Sequence, residues 1–119
     1  MINLVIWNEF LHEKENDQVK SIYPKGIHEC IKAFLLKDKD LSISTATLEE
    51  KDHGLSEELL EKTDVLIWWG HKAHKLVEDK IVDRIQQRVL EGMGLLVLHS
   101  GHHSKIFKRL MGTNCNLTW

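Results

Sequence analysis

The residues best suited to chemistry in this sequence are histidines, and most of them follow apolar runs. Three runs of apolar residues each end in histidines, and together they account for six of the eight: His12, His71, His74, His99, His102 and His103. Imidazole titrates near neutral pH and is the commonest side-chain metal ligand, so such a group indicates acid–base chemistry or a metal site. If the runs are neighbouring parallel strands, their carboxyl ends bring these side chains together.

A metal site is the first hypothesis for these histidines. Two pairs have the spacing His-x-x-His, which can place two rings on one side of a turn. Catalytic metal sites commonly use three protein ligands and keep another position open. The predicted ligands of a divalent metal, with zinc as the first candidate, are His71, His74, His99 and His102. His103 could replace His102, and His12 is expected further out or on the surface.

Acid–base catalysis without a metal is the second hypothesis. A histidine needs no pKa shift to move protons near neutrality, and Glu9, after the first strand, could orient or charge it. Glu9 and His99 are therefore the predicted catalytic residues. Trp69 is a predicted substrate contact because an indole ring can stack on a sugar, with Trp7 as the alternative. Ser100 is expected to offer its hydroxyl to a ligand or to cap the following helix.

A serine nucleophile at Ser100 is the weaker alternative. A nucleophile in a tight strand-to-helix turn needs small residues two places on either side, and here those places hold Leu98 and His102. No cysteine occupies the turn. A phosphate-binding glycine loop is not indicated either, since Gly92-x-Gly94 precedes a strand rather than a helix.

Composition narrows the class of protein. A chain of 119 residues with 42% hydrophobic residues predicts one domain with a core. Its interspersed charges, 16 basic against 18 acidic, argue against nucleic acid or an anionic membrane as the partner. No apolar run approaches a membrane span. Cys30 and Cys115 have no paired spacing, so a cytoplasmic location is expected, with Cys30 as a small buried residue.

The elements that must position the histidines alternate in the order β-α-β-α-β-α-β-α, which predicts an α/β fold with a doubly wound parallel sheet. The segment 13–21 is predicted to be a surface loop, and His28 and His53 are predicted to be surface residues. Strands are expected at 1–7, 41–48, 64–69 and 95–98, the last of them central and buried on both faces. Helices are expected from Tyr23-Pro24 onward, at 55–60 with Ser56 as N-cap, at 76–91, and up to Gly112.

Four motifs resemble those of the ThuA family, the trehalose-utilisation-like proteins of the class I glutamine amidotransferase-like superfamily. They are Asn8-Glu9, the segment 68–74 (WWGHKAH), the segment 98–102 (LHSGH) and the segment 104–113 (SKIFKRLMGT). The resemblance implies a flavodoxin-like three-layer α/β/α fold and a small-molecule sugar as partner. His99 fills the position of the superfamily's nucleophilic cysteine, so glutaminase activity is not expected.

The resemblance covers residues 1–119 as the N-terminal half of a longer family domain, so the sheet is expected to be incomplete and the chain to form homo-oligomers. The predicted function is that of a ThuA-like protein of carbohydrate metabolism, acting on trehalose or a keto-sugar by metal-assisted acid–base catalysis. The alternative is a non-catalytic sugar-binding or small-molecule-binding module on the same fold.

Overall fold

The structure, a computed structural model, describes residues 1–118 and contains one four-stranded, all-parallel sheet in the order β2-β1-β3-β4. The strands are β1 (Ile2–Asn8), β2 (Leu41–Thr47), β3 (Val65–Trp69) and β4 (Gly94–Val97). The helices are α1 (His12–Glu15), α2 (Asp17–Ile22), α3 (Ile27–Leu35), α4 (Glu57–Glu61), α5 (Asp79–Leu90) and α6 (Lys105–Met111). The predicted α/β class is confirmed, and the arrangement is consistent with a flavodoxin-like fold.

Helices cover both faces of the sheet. On one face, Trp7 and Trp68 lie in adjacent strands and stack with ring centroids 3.8 Å apart, and α5 packs Ile81 and Ile85 into the same core. On the other face, a smaller cluster contains Ile6 and Ile67 and receives α3. Burying apolar side chains on both faces of a parallel sheet produces the three-layer arrangement.

The register of the sheet brings three strand ends to one level. Trp7 of β1 pairs with Trp68 of β3, and Trp68 in turn pairs with Val97 of β4. The loops that follow β1, β3 and β4 therefore leave the sheet side by side, as the alternation of elements predicted. This edge of the sheet carries the histidines.

The segment 13–21 lies mostly on the surface, as predicted, but it is helical, so the prediction of a loop is wrong. Asn16 ends α1 and caps α2, because its side chain accepts a hydrogen bond from the Val19 amide at 3.0 Å. Glu13 is buried, and its Oε2 accepts a hydrogen bond from the Asn8 side chain at 2.6 Å, which ties α1 to the sheet, while its Oε1 has no partner within residues 1–118. The charged sequence of this segment does not indicate helix α1, because the residue that stabilises it, Asn8, lies in β1.

The helix expected from Tyr23-Pro24 begins later, at Ile27, after a turn that ends in Gly26 with a φ of 94°. Its apolar side chains do not all face the sheet. The helix turns His28 and Ile31 toward the sheet and leaves Phe34 68% exposed. Cys30 is exposed as well, so the prediction that it is buried is wrong.

Strand β4 lies at the edge of the sheet rather than in its centre, and Leu96 is 53% exposed. The prediction of a central strand buried on both faces is therefore wrong within the described residues. The remaining elements agree well with the sequence, including the Ser56 cap of α4 and a left-handed Gly112 that ends α6. None of the helices in residues 1–118 is long and apolar enough to cross a membrane.

Candidate functional site

A cavity of about 440 Å3 lies beside the ends of β3 and β4 and is lined mainly by imidazole rings. Its lining residues are His71, His74, His99, Ser100, His102, His103 and Leu117. We call it the histidine cavity. Five of the six strand-end histidines contribute to it. The sixth, His12, is not part of the lining and stacks on His71, with ring centroids 4.8 Å apart.

The turn after β4 brings its histidines to the cavity through a close approach of the backbone. Residues His99–His103 form a 3-10 helical turn. Gly101 is required at its centre, because a Cβ there would lie 2.7 Å from Cγ1 of Val97. His99 has a φ of 41°, a left-handed conformation that costs free energy for a residue with a side chain. Such strain at a strand end is common where side chains are held for function.

His102 is held in one tautomer by the segment that follows α6. Its Nδ1 lies 2.9 Å from the carbonyl oxygen of Cys115, so Nδ1 carries the proton and donates. Nε2 of His102 is then an acceptor in the neutral ring. The His102 ring also contacts that of His103, with centroids 3.9 Å apart.

The turn after β3 is anchored by Glu9, which is 1% exposed. Its Oε1 accepts a hydrogen bond from the Lys72 amide at 2.5 Å, and its Oε2 accepts one from the Ala73 amide at 2.9 Å. Gly70 lets Glu9 and His74 come together, since a Cβ on Gly70 would be 3.2 Å from His74 Nδ1 and 3.5 Å from Glu9 Oε2. The carboxylate therefore lies near the His74 ring and fixes the turn that precedes it.

Two cavity histidines have pKa values that favour the neutral ring. Burial lowers the pKa of His74 below its usual 6.5, and the nearby Glu9 carboxylate opposes this in part. Burial also lowers the pKa of His103, with smaller contributions from the neighbouring His102 and Lys108, and a hydrogen bond with the Asn116 side chain opposes the shift. Nε2 of His103 is buried and has no hydrogen-bond partner within residues 1–118. Neutral imidazoles of this kind can accept a proton or a hydrogen bond from a ligand.

Ser100 lies in the cavity wall, but its hydroxyl donates to the Gly70 carbonyl oxygen at 2.9 Å and so ties the β4 turn to the β3 turn. The predicted alternative that Ser100 caps the next helix is wrong. Ser104 performs that role, with its hydroxyl accepting a hydrogen bond from the Phe107 amide at 3.3 Å. Ser104 directly precedes the first residue of α6, and this position in the sequence could have identified it as the N-cap.

Trp69 is half-buried outside the cavity lining and stacks on His71, with centroids 5.9 Å apart and planes inclined by 19°. It therefore supports the His71 ring, and its contact with substrate stays a prediction. Trp7, the alternative stacking platform, is 1% exposed and packs against Trp68. A ring so deeply buried presents no face to a sugar, so that alternative is wrong.

His28 and His53 are buried, so the prediction that they are surface residues is wrong. His53 donates through Nδ1 to the Leu48 carbonyl oxygen at 2.7 Å and accepts at Nε2 from the Glu78 amide at 3.1 Å. His28 accepts at Nδ1 from the Asn8 side chain at 2.9 Å. These partners are distant in the sequence, and no spacing pattern signals them.

The four predicted metal ligands do not form a complete metal site in this arrangement. Imidazole nitrogen is a donor that zinc accepts. Within residues 1–118, however, no three histidine, cysteine, aspartate or glutamate side chains are close enough together to hold an ion. Metal binding at the cavity stays a prediction.

The fold and the strand-end histidines can now be compared with known families. A family model named ThuA and described as trehalose utilisation matches residues 3–118. The chain belongs to the ThuA family. The match confirms the resemblance and relates this ThuA protein to carbohydrate metabolism. A comparison with curated proteins found no match.

Proposed function

We propose that the histidine cavity of this ThuA protein binds a sugar or sugar-derived substrate and that His74 accepts a proton from it. The observation that carries the proposal is the placement of His74. Its half-buried ring lines the cavity, makes no hydrogen bond within residues 1–118, and lies near the buried Glu9 carboxylate, whose charge acts on it. A polar ring without a protein partner in a concave site is available to a ligand.

The chemistry assigned to His74 is general-base catalysis. A neutral imidazole nitrogen can take a proton from a sugar hydroxyl or from a carbon next to a ketone. The imidazolium that forms is stabilised by the negative charge of Glu9, and this stabilisation is largest after the proton has moved. His103 and Ser100, in the same cavity wall, provide further polar groups for sugar hydroxyls.

Glu9 is assigned a positioning role instead of the role of the base. Both carboxylate oxygens accept backbone hydrogen bonds, and the side chain is 1% exposed, so it has no free path to substrate. Its charge and its two hydrogen bonds act through His74 and the loop around it. His99 is exposed and lines the cavity, which supports the prediction that it is a second proton-transfer group.

A divalent metal, zinc first, is the second candidate for the chemistry, and the donor type of the cavity favours it. The measurement is the metal content of the purified protein after dialysis, with binding of added zinc followed by calorimetry. Stoichiometric zinc that is lost in His99→Ala would support metal-assisted catalysis. Absence of binding at micromolar zinc would contradict metal-assisted catalysis and support acid–base catalysis without a metal.

The base assignment is tested with fructose, a keto-sugar, in deuterated water. We expect the parent protein to catalyse exchange of the proton on the carbon next to the ketone, as measured by proton NMR. His74→Ala should abolish the exchange, and Glu9→Gln should reduce it while shifting its pH dependence, because the charge near His74 is lost. His12→Ala is the matched control, since His12 lies outside the cavity lining.

Two results would separate the alternatives. Sugar binding without exchange, seen as shifts of the His74 ring resonances on adding glucose or fructose, would support the non-catalytic binding module. Equal exchange in His74→Ala and in the parent would overturn the role assigned to His74.

A further inference from the structure

A second cavity, of about 560 Å3, adjoins the histidine cavity. Its lining residues are Lys72, Ala73, His74, Lys75, Leu76, His103, Lys108 and Asn116. We call it the basic cavity. The two cavities share His74 and His103 as a common wall, so one ligand can contact both.

The basic cavity carries positive charge that no lining carboxylate balances. Lys72 is ion-paired, with its ammonium group 2.5 Å from Glu15. Lys75 and Lys108, by contrast, have no carboxylate within ion-pair distance among residues 1–118. Lys105, on the same helix as Lys108, differs in this respect, because its ammonium group is paired with the Asp79 carboxylate at 3.0 Å.

The two lysines come from different elements. Lys75 lies in the 3-10 helical turn His74–Leu76 after β3, and Lys108 lies in α6. The tertiary structure thus places two ammonium groups and the Asn116 side chain around one concave space. The charge of Lys108 reaches the shared wall, because it helps to lower the pKa values of His74 and His103.

We propose that the basic cavity binds the phosphate group of a phosphorylated sugar, whose hydroxyls extend into the histidine cavity. This inference rests on the proposed function and specifies its substrate class. Two separate ammonium groups and an amide donor suit a phosphate monoester, which carries nearly two negative charges and three terminal oxygens. A carboxylate offers one charge and two oxygens and uses this arrangement less fully.

The test compares three ligands that share one sugar ring, with affinities measured by calorimetry on the full chain: glucose, glucuronate and glucose 6-phosphate. Glucose 6-phosphate should bind at least about tenfold more tightly than glucose, because charge-assisted contacts are added. Its affinity should fall with added salt, and inorganic phosphate should compete with it.

Variants identify the residues that bind the phosphate. Lys75→Gln and Lys108→Gln should each weaken glucose 6-phosphate binding by about tenfold and leave glucose binding unchanged. Lys39→Gln is the matched control. Lys39 lies in the turn before β2, at the opposite end of the sheet, and also has an exposed side chain.

Each of the other possible outcomes would overturn a specific part of the proposal. Equal binding of glucose and glucose 6-phosphate would overturn the phosphate site and leave the proposed sugar site intact. Equal binding of glucuronate and glucose 6-phosphate would overturn the choice of phosphate. A loss in Lys39→Gln as large as in Lys75→Gln would show general charge attraction and overturn the site. Failure of all three sugars to bind would overturn the proposed function together with this inference.

Discussion

Two groups of histidines in this ThuA protein differ in what their rings contact. His28 and His53 are buried and hydrogen-bonded to the protein: His28 accepts from Asn8, and both nitrogens of His53 have partners. His74 and His103 line the two adjoining cavities, and neither ring nitrogen of His74 has a partner within residues 1–118. The same residue type thus stabilises the fold in one place and is available to a ligand in the other. The buried histidines have protein partners, whereas the half-buried ones line a cavity.

The largest effect is expected for the saturated histidine. His53→Ala leaves the Leu48 carbonyl and the Glu78 amide without their partners, so the free energy of unfolding should fall by about 2–4 kcal/mol. His53→Asn keeps a donor toward Leu48 and should recover part of the loss. Urea denaturation followed by circular dichroism measures both variants. A loss below about 0.5 kcal/mol in His53→Ala would contradict a stabilising role.

A smaller effect is expected from the protonation of His28. Burial lowers its pKa below the usual 6.5, although nearby glutamates oppose the shift, and its Nδ1 already accepts a hydrogen bond from Asn8. The unfolded chain therefore binds the proton more readily, and stability should decrease as the pH falls below 6.5. The slope from this one group is at most about 1.4 kcal/mol per pH unit.

The control for this pH dependence is His28→Asn, which keeps an acceptor near Asn8 but does not titrate. Unfolding free energies are compared between about pH 7.5 and pH 5.5 for the parent and the variant. The parent should lose more stability than the variant over this range. Identical slopes would show that His28 contributes nothing to the pH dependence.

The smallest effect on stability is expected for a cavity histidine. His74→Ala removes no hydrogen bond within the described chain, so the free energy of unfolding should change by no more than about 0.5 kcal/mol. The same variant should lose the proton exchange with fructose. A loss of stability similar to that of His53→Ala would erase the distinction between the two groups.

Much of the site could be predicted from local patterns. The apolar runs identified β1, β3 and β4, and their parallel order placed the following histidines at one edge of the sheet. Glu9 and His74 could be assigned to that edge because each follows a strand. Their proximity could not be predicted, because it depends on the close approach that Gly70 allows and on the hydrogen bonds from the loop to Glu9.

The sequence by itself determined the α/β class, the ThuA family and the position of the histidines after strand ends. These properties depend on periodicity and motifs within short segments. Only the tertiary structure decided that His28 and His53 are buried, that β4 lies at the edge, and that Lys75 and Lys108 face one cavity. Such properties depend on contacts between residues far apart in the chain. Those contacts are determined by packing of the whole chain, so a local sequence pattern does not predict which residue a side chain contacts.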